Sequence, residues 1–201
     1  PGQYLELTLP HGSTDARGWR RVFSIVAAPG STRLRFGVRM PERPSSFKSA
    51  LLALEPGAVV SGTSVSGDFL LPSDTSTKLL LLAGGIGITP FVGQLLHAAA
   101  ESPRRDIVLV TAVTSAAYRP ELEAAGFPVV VVSPDEPAGL PEHWTWVGAP
   151  QLTHGIVHER VADARERIAY VSGSPTLVSE LKRALRGSGV RRVRTDTFIG
   201  Y

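Results

Sequence analysis

The stretch Lys78-Leu79-Leu80-Leu81-Leu82-Ala83-Gly84-Gly85-Ile86-Gly87-Ile88-Thr89-Pro90 decides how this 201-residue chain is read. Its apolar run, 79–83, is bounded by Gly84 and Gly85, which predicts a strand buried on both faces of a parallel sheet. Behind Gly87, Thr89 and Pro90 the apolar residues Phe91, Leu95, Leu96 and Ala99 recur at helical spacing. The order is strand, glycine turn, helix. Such a turn offers bare backbone N–H groups at a helix N-terminus, where the dipole favours an anion. Glycine suits it because a Cβ would hold a ligand away and would forbid some turn dihedrals. The common dinucleotide fingerprint is not met: Pro90 replaces the third glycine, and no acidic residue ends the next strand. By itself the stretch fits either a ligand-binding turn or a tight turn with no ligand.

Working outward, strands and helices alternate on the C-terminal side. Strands are predicted at 79–83, 107–113, 128–133, 168–172 and, shorter, near 190–194; helices at 89–100, 119–125, 151–161 and 175–186. That pattern is a doubly wound α/β unit, with ligands expected at the carboxyl ends of its strands. Thr114 and Ser115 follow the second strand, and Ser172-Gly173-Ser174-Pro175 closes the fourth, so both belong to that end. On the N-terminal side, 4–9, 21–27, 34–40 and 58–65 alternate at period two. Residues 45–54 carry helical spacing at Phe47, Leu51 and Leu54, stopped by Pro56-Gly57. Short strands with glycine and proline punctuation and one helix predict a small antiparallel barrel, left incomplete if it starts at Pro1. The stretch 71–77, a proline followed by small polar residues, reads as a linker. The division is therefore 1–73 and 74–201. Because the chain opens on Pro1 and runs straight into a strand pattern, it is expected to be a fragment.

The composition bounds the function. With 43% hydrophobic and 19% charged residues the chain can bury a proper core. No apolar run approaches the length that crosses a bilayer. The net charge of +3 comes from scattered arginines with one dense patch at Arg191, Arg192 and Arg194, and aromatics are only 7%. Aromatics do not interleave with the arginines, so the footprint of a nucleic-acid binder is missing. Cysteine is absent, which excludes disulfides, a cysteine-ligated iron–sulfur cluster and a cysteine nucleophile within this chain. No Gly-x-Ser-x-Gly elbow marks a serine hydrolase. His154 and His158 lie four apart, but a metal needs further ligands and none is evident, so no metal site is expected. Trp144 and Trp146 read as packing residues beside a proline-rich loop.

Four motifs occur in a set order: Arg21-Val22-Phe23-Ser24, the 84–91 turn, Tyr170-Val171-Ser172-Gly173-Ser174-Pro175, and the tail Asp196-Thr197-Phe198-Ile199-Gly200-Tyr201. Together they resemble the ferredoxin–NADP reductase family, over essentially the whole chain. The segment 45–57 and the tail look most like bacterial stand-alone or membrane-fused reductase modules. The resemblance implies an antiparallel FAD-binding barrel over 1–73 and an NAD(P)-binding domain over 74–201.

Residue by residue, the resemblance puts Arg21 on the FAD pyrophosphate, an anion its guanidinium fork suits. Val22 lies beside it. Phe23 falls where the family usually has tyrosine against the flavin, keeping the ring and losing the hydroxyl. Ser24 falls near flavin N5. Arg39 and Met40 would line the ribityl side. Ser45, Ser46, Phe47 and Lys48 would supply a second phosphate contact at a helix start, although capping alone explains the serines. Gly84, Gly85, Gly87, Thr89 and Pro90 would approach the dinucleotide. Ser172, Gly173 and Ser174 would place the nicotinamide, with Ser174 a departure from the family's Cys/Ser-Gly-Pro turn. Thr114, Ser115 and Arg119 would read the adenosine ribose, slightly favouring NADPH over NADH. Phe198 or Tyr201 would cover the flavin ring. The implied activity is hydride transfer from NAD(P)H to FAD and electron delivery to an acceptor that this stretch does not encode, either an upstream domain or a separate carrier. A cytoplasmic setting is implied, including that of the cytoplasmic part of a membrane-anchored protein. The competing reading is a nucleotide-binding or regulatory module without productive flavin.

Overall fold

A computed structural model describes residues 1–27, 30–112 and 118–198. The N-terminal part forms a three-stranded antiparallel sheet in the order β2-β1-β3, from β1 (Tyr4–Thr8), β2 (Arg20–Ser24) and β3 (Ser61–Ser66). Register fixes the faces. Leu5 pairs with Phe23 and Leu7 with Arg21, whereas Tyr4 pairs with Ser24 and Glu6 with Val22. Side chains alternate along a strand, so Arg21 and Phe23 share one face and Val22 and Ser24 the other. The first face packs on α1 (Ser46–Leu52), whose Phe47 is fully buried against Leu7 and Leu9. Ser45 caps α1 by accepting from the Lys48 N–H.

The expected strand over 34–40 is not formed. Among the described residues its backbone pairing with the sheet is one bridge, Ile25 to Phe36. The reason is tertiary: a Cβ on Gly37 would run into Thr89, Ile86 and the Tyr118 hydroxyl. This segment is spent on the glycine turn of the second sheet instead of a ladder. Proline at 41 and 44 prevents its extension as a paired strand.

The second sheet has six parallel strands in the order β7-β6-β5-β4-β8-β9. They are β4 (Leu79–Gly84), β5 (Ile107–Ala112), β6 (Val129–Ser133), β7 (Trp144–Gly148), β8 (Ile168–Gly173) and β9 (Val193–Thr197). The helices are α2 (Thr89–Ala99), α3 (Arg119–Ala125), α4 (His154–Arg160) and α5 (Pro175–Gly187). Alternation along β4 builds both layers. Leu79, Leu81 and Ala83 face Phe91 and Leu95 of α2 and Leu122 of α3. Leu80 and Leu82 face Val157 of α4 and Val178, Leu181 and Leu185 of α5. Each of these β4 side chains is fully buried, so the run of leucines is a double-faced core strand.

Three differences from the expected elements have local causes. The tryptophan segment is strand β7, parallel to β6 without an intervening helix; its two bulky rings hid a short edge strand. α4 begins at His154 and not near 151 because Thr153 caps it, accepting from the Ile156 N–H. The last strand starts at Val193 and not 190 because α5 ends in a Schellman motif. Val190 N–H donates to Leu185 C=O, Gly189 N–H to Arg186 C=O, and Gly189 takes the positive φ of 97° that this ending needs.

The two sheets are packed together. Val26 and Phe69 join the core of Leu79, Phe91 and Tyr170. The buried Gln94 of α2 donates to the Phe69 carbonyl at 2.5 Å, Tyr170 donates to the Leu70 carbonyl at 2.7 Å, and Arg35 pairs with Glu121 at 2.7 Å. No helix among the described residues is long and apolar enough to cross a membrane.

Candidate functional site

In the parallel sheet the strand order reverses between β4 and β8, and a doubly wound sheet opens its crevice at such a point. A cleft of about 670 Å³ lies there. Gly84, Gly85, Ile86 and Ile88 form its floor, with Ala112 and Ser133 at the ends of β5 and β6 and Gln151 beyond β7. Ser174, Thr176 and Glu180 contribute from α5 and its cap, while Val38 and Arg39 close it from the N-terminal part.

The three glycines of the turn serve different purposes. Gly85 has φ of 54° with open space where a Cβ would stand, so it exposes backbone to the cleft. A Cβ on Gly84 would meet the movable end of the Leu177 side chain, whereas Gly87 lies too close to the backbone of Ser172 and Gly173 to carry one. Thus Gly87 does not face the cleft; it lets the turn press onto the end of β8. Thr89 and Pro90 are buried at the start of α2, and the Thr89 hydroxyl donates to the Ile86 carbonyl at 2.9 Å.

Ser172 is fully buried, and its Oγ has no partner among the described residues. A buried hydroxyl without a partner costs free energy unless something else satisfies it. Ser174 caps α5 by accepting from the Leu177 N–H at 3.3 Å and also lines the cleft. Gly173 has φ of 154°. Phe198 N–H donates to the Gly173 carbonyl at 2.9 Å, which ties the tail to the end of β8. Asp196 sits beside Ser172 in register. Burial pushes its carboxyl up, and the charge of Asp68 adds to the shift.

On the N-terminal side, Arg21 is occupied by the protein itself. It donates to both carboxylate oxygens of Asp15, at 2.9 and 3.1 Å, and to the carbonyls of Arg17, Gly18 and Arg20, while its guanidinium lies 5.0 Å from the Phe47 ring centre. Asp15 is held down at about 2, first by hydrogen bonds from Arg17 and then by the charge of Arg21. Lys48 donates to the Arg39 carbonyl at 2.6 Å. Burial lowers its pKa, and the nearby Arg17 and Arg39 lower it further. This crowd of cations sits at the edge of the cleft, since Arg39 belongs to both. The Ser46 hydroxyl lies 3.1 Å from His11 Nε2, and His11 Nδ1 donates to the Leu9 carbonyl at 2.7 Å.

The expected site residues therefore divide. Gly84, Gly85, Ser174 and Arg39 line one cleft, with Thr89, Gly87, Ser172 and Gly173 forming the packed layer beneath. Ser24 is buried on the opposite face of β2 from Arg21. The Phe23 ring packs 6.1 Å from Phe36 and 6.0 Å from Phe47, inside the small core. Phe47 is buried and can offer a ligand only its backbone; Val22 and Met40 are exposed. Arg119 is turned away from the cleft. Its Nε donates to Glu123 at 2.6 Å, and its terminal nitrogens donate to the carbonyls of Ala138 and Gly139. Thr114, Ser115 and Tyr201 lie outside the described residues.

Sequence reasoning missed Val38, Tyr118, Gln151 and Glu180 as cleft residues. Tyr118 was findable as the residue before the α3 start. It carries φ of 67°, rare for a bulky side chain. Gln151 was hidden with the unrecognised β7, and Glu180 lies inside the predicted helix 175–186, where nothing in the sequence sets it apart from the other charges.

No protein-family model matches the chain. The reductase subunit of an aromatic O-demethylase from an Amycolatopsis species is 34% identical over 217 residues, covering 98% of this chain and 60% of the relative. An NADPH oxidoreductase of Mycobacterium tuberculosis is 28% identical over 200 residues, covering 94% and 49%. A flavohemoprotein of Oceanobacillus iheyensis is 30% identical over 119 residues, covering 57% and 29%. The chain thus spans between 29% and 60% of these relatives' length. Among solved structures, a cytochrome P450 reductase from Amycolatopsis superposes with a TM-score of 0.73 at 28% identity, covering 98% of this chain and 60% of that one. A ferredoxin NADP+ reductase from Neisseria gonorrhoeae, solved with FAD and NADP bound, shares the fold with a TM-score of 0.72 at 18% identity, covering 98% and 85%. With an antiparallel sheet leading into a six-stranded parallel one, and a glycine-turn cleft between them, the chain is similar in sequence and fold to reductases of the ferredoxin–NADP reductase-like family.

Proposed function

We propose that this chain is the reductase module of an FAD-dependent NAD(P)H oxidoreductase, with FAD held by 1–73 and the nicotinamide nucleotide by 74–201. The observation that carries the reading is the shared cleft: Arg39 and Val38 of the first part face the glycine turn of the second across one cavity. When bound, FAD supplies hydride acceptance and onward electron transfer.

The residues fit such a group in two places. The cations around Lys48 repel one another, and a pyrophosphate beside Arg39, Arg17 and Lys48 relieves that repulsion. The Ser172 hydroxyl, lacking a partner, is available to a polar group brought over the end of β8. Gly85 presents backbone N–H groups to the nucleotide pyrophosphate, and the packed layer of Gly87 against Ser172 and Gly173 holds the turn at fixed height. Ser24, Phe23 and the tail ring of Phe198 or Tyr201 are assigned to the flavin by family resemblance, as are Ser45 and Ser46 to its phosphate. No side chain is required to act as a general acid or base.

Electrons pass to a haem-bearing partner, fused or separate. The names of the flavohemoprotein and cytochrome P450 reductase relatives support that class of acceptor. A cytoplasmic location belongs to the same proposal. The test is to load the purified chain with FAD and add NADH or NADPH without oxygen. Bleaching of the oxidised flavin band is the expected result. A chain that binds nucleotide but no FAD supports the non-catalytic module instead, a reading favoured by one observation: Arg21 is already saturated by Asp15 and backbone carbonyls.

A further inference from the structure

We infer that the cleft selects NADH over NADPH; this rests on the proposed reading of the cleft as the nicotinamide-nucleotide site. The two nucleotides differ only at the adenosine ribose, which carries a hydroxyl in one and a phosphate in the other. In a doubly wound sheet that ribose lies beyond the carboxyl end of the strand next to the glycine-turn strand, and a nearby arginine is what accommodates the phosphate. Here that strand is β5, so the relevant wall is Ala112, Tyr118, Ser133 and Pro134.

No cation reaches this wall among the described residues. The arginine best placed by sequence, Arg119, gives its Nε to Glu123 and its terminal nitrogens to the Ala138 and Gly139 carbonyls. Arg35, the other arginine near the start of α3, is paired with Glu121 at 2.7 Å. The segment 113–117 contains no lysine or arginine by sequence. Among the described residues, the charged ones lining the cleft are Arg39, at the glycine turn, and the acidic Glu180. A phosphate dianion placed against this wall loses water and gains no charged partner among the described residues, whereas a ribose hydroxyl needs only one neutral hydrogen bond. Freeing Arg119 would require breaking its ion pair and both carbonyl contacts.

The test measures binding of 5′-AMP and of 2′-phospho-AMP to the purified chain by calorimetry, alongside kcat/KM for NADH and NADPH with ferricyanide as acceptor. The expected result is 5′-AMP binding at least as tight as 2′-phospho-AMP, and a kcat/KM for NADH higher by roughly tenfold or more. Arg119→Leu should leave the ratio of the two nucleotides unchanged, with its melting temperature recorded to separate a folding defect from a binding one. Tighter binding of 2′-phospho-AMP, or a selective loss of NADPH activity in Arg119→Leu, overturns the inference and leaves the cleft assignment intact. Binding of neither adenosine nucleotide overturns the cleft assignment itself.

Discussion

At the scale of single residues, what distinguishes this chain is how little freedom its turn residues have. Gly87 is fixed by the Ser172–Gly173 backbone, which cannot move aside as a flexible side chain could. Gly87→Ala is expected to cost about 1–3 kcal/mol, as overpacking of a tight contact does. It should also weaken 5′-AMP binding, because the turn is lifted from β8. Thermal melting and calorimetry on the same variant check both effects. Asp196 gives a second expectation. Its carboxyl is pushed up in the folded chain by burial, then by Asp68, so ionisation at neutral pH opposes folding. The sign follows: the penalty is fully present above the raised value and vanishes below the ordinary carboxylate range of about 4. Asp196→Asn should therefore melt later than the parent at pH 7, and the gap should close as pH falls through the carboxylate range. A gap that widens on acidification contradicts the burial argument.

At the scale of elements, the parallel sheet was the most legible part. The leucine run, glycine turn and α2 lie where the apolar period puts them, because a strand buried on both faces leaves an unbroken signal. α3 matches its predicted span. The elements that escaped did so for physical reasons. β7 is an edge strand made of Trp144, Thr145, Trp146, Val147 and Gly148, with too short an alternation to stand out. The 34–40 segment alternates like a strand but is claimed by the contact of Gly37 with Thr89 and Tyr118. The lining of the cleft was legible at the glycine turn, as at Gly85, and illegible where it depends on side-chain partners. Arg119 and Arg21 look like phosphate ligands in sequence; only the fold reveals Glu123 and Asp15 beside them.

The amino end of the parallel sheet carries its own framework, remote from the cleft. Arg167, nearly buried, donates to Asp163 at 2.7 and 3.0 Å, to Asp106 at 2.8 Å and to the Leu79 carbonyl at 3.1 Å, joining β4, β5 and the start of β8. Removing one partner of a buried ion pair strands the others, typically at about 3–5 kcal/mol. Arg167→Leu should lose stability on that order in denaturant titration. The stranded acids are partly exposed, Asp106 more than Asp163, so the lower part of the range is expected. Nucleotide affinity of the folded fraction should be unchanged.

At the scale of the whole molecule, the account depends on the two sheets meeting over one cleft. The contact is specific: Gly37 seats against Thr89, Gly93 against the carbonyls of Val26 and Ala27, and Gln94 on the Phe69 carbonyl. Gly93→Leu should wedge this seam open. Flavin reduction by nicotinamide nucleotide should then slow while 5′-AMP binding, assigned above to the wall at the ends of β5 and β6, should persist. Stopped-flow absorbance beside calorimetry reads the two separately.

The most direct measurement is rapid mixing of the FAD-loaded chain with NADH in the absence of oxygen, following the oxidised flavin band. Loss of that band in a single nucleotide-dependent phase is the predicted result. A chain that holds both FAD and NADH yet keeps its flavin oxidised would contradict the claim that the cleft brings them together.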